Sequence, residues 1–253
     1  MNPGPIDFYF DFSSPYSYIA SEWIEALAAR HGRTVNWKAI LLGATFQAAE
    51  LRSPVSHPIK REYSMHDFER SARFAGVPLK MPEKFPIPTQ NAARVFWWLQ
   101  ERSARPPEGA LAPAWRDGAQ RPGCPISRSA RPPEGALAPA WRGGAQRPGC
   151  PISRGDLSAS DWARHCLRAY FARGVELSDS AALQTLAVEF GLDAGQAAAV
   201  WSDPQWKARL KAANDAAIAL GVFGAPFFVI DGEPFWGNDR RAQIERWLEK
   251  GPF

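Results

Sequence analysis

Four residues near the N-terminus, Ser14-Pro15-Tyr16-Ser17, have types and spacing that could stabilise a sulfur anion. They lie between a predicted strand and a predicted helix, where backbone N–H groups and the positive helix end favour negative charge. Redox proteins carry two cysteines with this spacing at such a junction, and here both positions are serine. A serine hydroxyl cannot exchange disulfides, but it can donate a hydrogen bond to a thiolate supplied by another molecule. The alternative role of Ser14 is local, because serine followed by proline is an ordinary helix start.

Two segments near the C-terminus could complete a site around that sulfur. A cis bond at Ala225-Pro226, before an apolar run of strand type, would leave the N–H and C=O of Ala225 available to an extended peptide. Asn238 and Asp239 could then hold the amino and carboxylate ends of a γ-glutamyl group. Both segments also have structural interpretations, since proline can enter a strand and Asn or Asp can begin a helix.

The hydrophobic pattern predicts the elements that position these residues. The N-terminal part predicts a strand, a helix and a second strand, at Ile6–Phe12, Ser14 to about Arg30, and Val35–Leu42. This spacing is that of a βαβ unit with two parallel strands. Six helical patterns follow, at His66–Ala75, Gln90–Gln100, Asp161–Ala172, Ala181–Phe190, Ala194–Trp201 and Pro204–Leu220.

The C-terminal part returns to strands. It predicts a hairpin of Ala225–Ile230 and Glu233–Trp236 around Asp231-Gly232, followed by a helix at Arg240–Glu249. The order βαβ, helices, ββα predicts an α/β thioredoxin-like fold interrupted by an all-helical insertion domain. We assign residues 1–45 and 219–253 to the thioredoxin-like domain and residues 46–218 to the helical domain.

The helical region contains a tandem repeat of 26 residues. SARPPEGALAPAWRDGAQRPGCPISR occupies 103–128, and 129–154 repeats it with one change, Asp117 to Gly143. Paired prolines, many glycines and few aliphatic residues predict a disordered insertion. An arginine-rich arm for an acidic partner, with Trp115 and Trp141 stacking on bases, is the alternative. We expect a solvated insertion and no nucleic-acid partner.

Composition and charge exclude several classes of protein. The net charge of +4 comes from the repeat, because residues outside 103–154 comprise 22 basic and 23 acidic side chains. No apolar stretch reaches the ~20 residues that span a bilayer, and we identify no secretory leader. The three cysteines form neither a CxxC pair nor a metal-binding spacing, so we expect a reducing, cytoplasmic location and no metal.

The chain resembles the 2-hydroxychromene-2-carboxylate isomerases, which are related to kappa-class glutathione transferases and to the disulfide-oxidoreductase A family. The residues that carry the resemblance are FYFDFSSPYSY (8–18), WKAILLG (37–43), PIKREY (58–63), FP (85–86), AAR (92–94), RAYF (168–171) and GVFGAPFFVIDGEPFWGNDR (221–240). The resemblance extends over nearly the whole chain outside 103–154. Their order and spacing are more specific than any single motif.

The resemblance implies a glutathione-dependent isomerase of aromatic catabolism. By it, Ser14 would hydrogen-bond the glutathione sulfur, and the thiolate would add reversibly to a conjugated carbon of a small-molecule substrate, allowing bond rotation. The remaining glutathione contacts would come from the chain's C-terminal part, at Ala225, Pro226, Trp236, Gly237, Asn238 and Asp239. Lys60, and less strongly Arg52, would bind a substrate carboxylate. The resemblance also implies a homodimer.

Two alternatives remain open from the sequence. A kappa-class-like transferase would conjugate glutathione to electrophiles, and a non-catalytic thioredoxin-fold protein would only bind ligands. A dithiol oxidoreductase is disfavoured because Ser14 and Ser17 cannot form a disulfide. The chain departs from the family pattern at 50–54 and at Pro88, both on the substrate side. The sequence therefore supports glutathione more strongly than it supports a particular substrate.

Overall fold

A four-stranded sheet positions the predicted site. The structure is a computed structural model, and it describes residues 4–104 and 157–253. The strands are β1 (Ile6–Phe10), β2 (Val35–Ala39), β3 (Phe227–Ile230) and β4 (Glu233–Trp236), in the spatial order β2-β1-β3-β4. β1 pairs parallel with β2 and antiparallel with β3, and β4 returns antiparallel beside β3. The predicted βαβ unit, the hairpin and the thioredoxin-like fold are confirmed.

Ten α-helices in the described ranges accompany this sheet. They are α1 (Pro15–Ser21), α2 (Ile24–Arg30), α3 (Leu42–Ala48), α4 (Pro58–Ala75), α5 (Gln90–Ala104), α6 (Ala159–Arg173), α7 (Ser180–Phe190), α8 (Ala194–Ser202), α9 (Pro204–Ala219) and α10 (Arg241–Lys250). Short 3-10 turns at Pro54–Ser56 and Asn238–Arg240 precede α4 and α10. The tandem repeat from residue 105 onward lies outside the described residues.

Three helices differ from the sequence prediction. The first predicted helix is two helices, α1 and α2, interrupted where the Trp23 side chain bonds Asn238. α3 was not predicted, because its cap is not local: the N–H of Leu42 donates to the Asp11 carboxylate at 2.7 Å. α4 begins at Pro58, eight residues before the predicted start at His66.

Aromatic side chains fix the sheet against the helices. Phe8 stacks on Phe228 of the neighbouring strand and meets Trp37 edge-on, with ring centroids 5.2 and 4.9 Å apart. This core continues through Phe10 and Phe96 into the helical region, where Trp162 is fully buried. Such edge-to-face and offset pairs stabilise a core beyond simple burial. The strand that leads into the site is therefore rigidly held.

The other face of the sheet is also covered. A smaller cluster combines residues of the strands with residues at and after the end of α9: Tyr9, Ile40, Ala217, Val222 and Phe227. β1 is thus buried on both faces, although its sequence alternates. No helix in the described ranges is long and apolar enough to cross a membrane.

Candidate functional site

Ser14 lies where β1 leads into α1, and its hydroxyl makes two hydrogen bonds. Ser14 Oγ accepts from the N–H of Ser17 at 3.1 Å, so Ser14 is the N-cap of α1. The same hydroxyl donates to the carbonyl of Ala225 at 3.1 Å, although 211 residues separate the two in sequence. Ser14 is 3% exposed. The helix-capping role and the contact with the second segment therefore coexist.

The Ala225-Pro226 bond is cis, as the sequence order predicted. The carbonyl of Pro226 accepts from the N–H of Gly237 at 3.0 Å, which places the start of the C-terminal 3-10 turn beside Ala225. Two segments of the predicted site are thus tied together through backbone groups. Ala225 is half-buried and lines the same cavity as Ser14.

Residues 236–239 form the next wall of the site. The indole of Trp236 lies against Gly224, where an added Cβ would come 2.5 Å from Trp236 Nε1. Asn238 Oδ1 accepts from Trp23 Nε1 at 2.8 Å, which leaves the Asn238 amide N–H groups for other partners. The Asp239 carboxylate is exposed and lies 3.3 Å from the Arg240 guanidinium. Gly237 adopts φ 108°, a conformation that glycine permits.

These residues line one large cavity of about 1540 Å³. The predicted glutathione residues that line it are Ser14, Ala225, Pro226, Trp236, Gly237, Asn238 and Asp239. The opposite walls come from the start of α3, from α4 and from residues 85–90. Typical ligand pockets measure roughly 300–1,000 Å³. The cavity therefore has room for glutathione and a second molecule.

The two substrate residues suggested by the sequence lie elsewhere. Lys60 is exposed in the first turn of α4, and Arg52 is exposed in the loop after α3. Neither side chain lines the cavity. The structure therefore does not bring Lys60 or Arg52 to the residues it gathers around Ser14.

A hydrogen-bonded group on the α4 wall was not anticipated from the sequence. The Tyr16 hydroxyl donates to Asp67, and the Arg70 guanidinium donates to the same carboxylate. Burial, together with the Asp67 carboxylate, raises the pKa of Tyr16. Burial also acts to raise the pKa of Asp67, but the bonds from Tyr16 and Arg70 outweigh it and hold that pKa below its usual value. The spacing of Asp67 and Arg70 on one helix face was visible in the sequence, whereas the contact with Tyr16 was not.

Asp11 is a second residue that sequence reasoning missed. Its carboxylate lies under the turn that carries Ser14 and accepts from the N–H groups of Ser13 and Leu42 at 2.6 and 2.7 Å. Burial raises the pKa of Asp11 to about 6, and the two backbone bonds limit that rise. Asp11 lies within the predicted strand Ile6–Phe12, whereas β1 ends at Phe10, and no signal in the sequence pointed to its role.

One group among residues 4–104 and 157–253 has the composition of a metal site. Ligand atoms of His31, Glu245 and Glu249 lie within 4.8 Å of one another. Glu245 is already bound by the Arg30 guanidinium at 2.6 Å, and Glu249 is exposed. Neither observation favours a bound metal ion there.

Comparison with known families accounts for this architecture. The sequence profile of the DSBA-like thioredoxin domain matches residues 5–123 and 155–249. The chain belongs to this family. The match passes through most of the first repeat copy and resumes after the second, so only residues 124–154 fall between the matched segments.

Relatives of this DSBA-like domain include an isomerase and a glutathione transferase. The chain is 25% identical to the 2-hydroxychromene-2-carboxylate isomerase of Sphingobium xenophagum over 245 residues, covering 96% of this chain and 97% of that protein. It is 37% identical to glutathione S-transferase kappa 1 of Caenorhabditis elegans over 103 residues, which cover 38% of this chain and 46% of that protein. The resemblance stated from the sequence is confirmed.

Solved structures share the fold. A 2-hydroxychromene-2-carboxylate isomerase superposes with a TM-score of 0.69 at 21% identity, covering 97% of this chain and 94% of that one. The cytosolic disulfide reductase DsbM from Pseudomonas aeruginosa, solved with GSH, superposes with a TM-score of 0.53 at 13% identity, covering 98% and 93%. At these identities the likeness establishes the DSBA-like fold of the chain.

Proposed function

We propose that the protein is a glutathione-dependent isomerase similar to 2-hydroxychromene-2-carboxylate isomerase. Its substrate class is a conjugated, aromatic-derived small molecule. The observation that carries this proposal is the Ser14 hydroxyl, which is buried at the start of a helix and opens on the large cavity. None of the described residues that line the cavity is a cysteine, and in this proposal bound glutathione supplies the thiol.

The residues around Ser14 fit the shape and polarity of glutathione. The Ala225 carbonyl, which accepts from Ser14 here, could instead accept from the cysteinyl N–H of glutathione. The Ser14 hydroxyl would then be released to donate to the sulfur, and the N-terminus of α1 would favour the thiolate. Asn238 offers N–H donors and Asp239 offers a carboxylate to the γ-glutamyl end of glutathione. Trp236 would cover the part of glutathione that lies between its γ-glutamyl end and its sulfur.

Bound glutathione would supply a thiolate that adds reversibly to the substrate and so turns a double bond into a rotatable single bond. The protein's part is to bind, orient and shield. Ser14 holds the sulfur anion, and the apolar side chains of Phe68, Phe85 and Ile87, which line the cavity, shield that part of it from water. Lys60 and Arg52 have no part in this proposal because neither lines the cavity.

The test is the ionisation of the glutathione thiol in the complex. A hydrogen bond to a charged group contributes about 1.5–3 kcal/mol, which lowers the thiol pKa by about 1–2 units. The thiolate absorbs in the ultraviolet, so its titration can be followed on bound glutathione. We expect Ser14→Ala to lose this pKa shift.

Ser21→Ala is the matched control. Ser21 is a buried serine of the same helix, donates to the Tyr18 carbonyl at 2.6 Å and does not line the cavity. The Ser21→Ala protein should retain the wild-type thiol titration. A thiol pKa that is the same for free and bound glutathione would remove Ser14 from the mechanism.

A glutathione transferase is the second candidate, favoured by the 37% identical segment shared with the kappa-class protein. Product analysis separates the two reactions. A transferase yields a stable thioether and consumes glutathione, whereas an isomerase returns glutathione unchanged. A protein that binds glutathione but yields neither product would be the non-catalytic binding protein that the sequence left open.

We also propose that the protein is a cytoplasmic homodimer. Cys166 is a buried free thiol, which is the usual state of cysteine in a reducing compartment. Light scattering coupled to size-exclusion chromatography would give the oligomeric state, and fractionation of the source cells would give the location.

A further inference from the structure

The outer face of α4 carries large side chains that are exposed to solvent. Ile59 is 91% exposed, Tyr63 is 63% exposed and Phe74 is 96% exposed. On a regular helix these three positions and Arg70 lie within about 60° of one another around the axis. We call these four residues the α4 stripe. Exposed apolar side chains that lie together, rather than singly, mark surfaces that contact another molecule.

The opposite face of α4 is the one that packs against the core. Ser64, Phe68 and Ala72 are buried there, and the Phe68 ring meets the Tyr16 ring edge-on with centroids 5.0 Å apart. The attachment of α4 to the rest of the described protein therefore accounts for that face and leaves the α4 stripe outside it. A second apolar face on one helix indicates a second contact surface.

The order of residues along the α4 stripe is symmetric about its midpoint. Ile59 and Phe74 lie about 11 Å to either side of that point along the helix axis, and Tyr63 and Arg70 lie about 5 Å to either side of it. Two copies of α4 packed antiparallel about a two-fold axis would therefore bring Ile59 of each copy opposite Phe74 of the other. The same packing would bring Tyr63 opposite Arg70. A symmetric dimer requires this property, because the same patch must contact itself.

The charges on the α4 face also suit a second copy of this chain. Within one copy the Arg70 guanidinium already donates to the Tyr63 hydroxyl at 3.0 Å and lies over its ring at 5.6 Å, so the two side chains are compatible neighbours. On one flank of the stripe, the antiparallel packing places Glu62 of one copy about 3 Å along the axis from Arg73 of the other. Glu69, which Arg73 contacts at 3.6 Å within the chain, lies farther round the helix.

The charge balance of α4 distinguishes a protein partner from a lipid surface. The helix carries four basic and three acidic side chains. Helices that lie on anionic membranes combine an apolar face with an excess of lysine and arginine. The near balance on α4 therefore favours a protein with complementary charges, and the symmetric order of the stripe makes a second copy of this chain such a partner.

We propose that the α4 stripe is the surface through which two copies of this protein meet, packed antiparallel about a two-fold axis. This inference deepens the proposed homodimer by naming its contact surface and its register. Arg70 and Phe74 of the stripe also line the cavity, so the second copy lies beside the cavity wall of the first.

The first test is the mass of Ile59→Glu by light scattering coupled to size-exclusion chromatography. Ile59, unlike Phe74, does not line the cavity, so its replacement leaves the ligand site unchanged. A carboxylate opposite Phe74 would be buried without a partner, and the Kd of the dimer should rise by about 100-fold or more, which gives a folded monomer at micromolar concentration. Val188→Glu is the matched control, because Val188 is an exposed apolar residue of α7. It should remain dimeric. A monomeric wild type or a dimeric Ile59→Glu protein would overturn the inference.

Cross-linking tests the antiparallel register. Ile59→Cys and Phe74→Cys are made separately in a chain that carries Cys124→Ser and Cys150→Ser, and Cys166 is buried. A short bismaleimide should cross-link a mixture of the two variants after their subunits exchange, and neither variant alone, because like positions lie about 22 Å apart along the axis. Cross-linking of one variant alone as efficiently as the mixture would overturn the register.

The remaining outcomes separate this inference from the other possible partner and from the isomerase proposal. A monomeric wild type that binds phosphatidylglycerol vesicles in a flotation assay would assign the α4 stripe to a membrane surface and overturn the inference. A dimer that passes both tests but does not shift the glutathione thiol pKa would keep the inference and remove Ser14 from the mechanism. A monomer that shifts the thiol pKa would do the reverse.

Discussion

Protonation of Asp11 should make the free energy of unfolding depend on pH in an unusual direction. Burial raises the pKa of Asp11 to about 6 from a model-compound value of 3.8. Between these values the folded protein holds a proton that the unfolded chain releases. Stability therefore falls as pH rises from about 4 to about 6 and is flat, for this group, above pH 6.

The size of this effect follows from the two pKa values. A difference of about 2 units at about 1.4 kcal/mol each gives a loss of about 3 kcal/mol across the window. Other carboxylates act in the opposite direction, because the pKa values of Asp67, Asp161 and Asp231 are held below the usual value. A difference between two proteins, measured at each pH, isolates the contribution of Asp11.

Urea unfolding of wild type and Asp11→Asn between about pH 4 and pH 7 provides that difference. An amide offers one acceptor oxygen where the carboxylate now accepts from both Ser13 and Leu42, so the variant should be less stable at every pH. The deficit of the variant should be largest near pH 4, shrink by about 3 kcal/mol between about pH 4 and pH 6, and stay constant above that.

Asp231→Asn is the matched control. Asp231 pairs with the Arg33 guanidinium at 2.6 Å, and its φ of 54° is one that Asn adopts readily. The bond from Arg33 lowers the pKa of Asp231, so this variant's deficit should grow as pH rises through the acid range. A deficit of Asp11→Asn that is constant with pH, or that grows above pH 5, would refute the argument for Asp11.

Three further changes test the geometry of the site. Gly224→Ala places a Cβ 2.5 Å from Trp236 Nε1, so the half-exposed indole must move; glutathione affinity should fall several-fold in calorimetry while Tm stays nearly unchanged. Deletion of residues 124–154, which fall between the segments that match the family, should preserve Tm and glutathione binding, and loss of either would give that stretch a role. Ser14→Cys should give a thiol whose pKa lies below the ordinary ~8.5, because it lies at the start of α1. The pKa can be measured from the rate of alkylation as a function of pH, and a value at or above ~8.5 would contradict the argument.

The sequence predicted those elements whose signals are local. Asp231-Gly232 between two apolar runs predicted the hairpin of β3 and β4, and the structure has it. The interruption between α1 and α2 was missed because its partner, Asn238, lies 215 residues from Trp23. α3 was missed for the same reason, since its first N–H is capped by Asp11 at the end of β1.

The same distinction between local signals and distant partners applies to the candidate site. The sequence could predict that Ser14, Ala225 and residues 236–239 lie together, because each segment carries its own motif and the fold order places the motifs together. The cation on the α4 wall could not be predicted, because Lys60 and Arg70 lie on one helix and only the rotation of α4 decides which of them lines the cavity. That rotation is fixed by Phe68, which packs on Tyr16, and by Asp67, which binds the Tyr16 hydroxyl.

Tyr16 connects α1 with α4 at the wall of the cavity. It follows Ser14 and Pro15 on the first turn of α1, and its hydroxyl reaches the carboxylate that holds Arg70. This hydrogen bond and the contact of the Tyr16 ring with Phe68 hold α1 and α4 together beside Ser14.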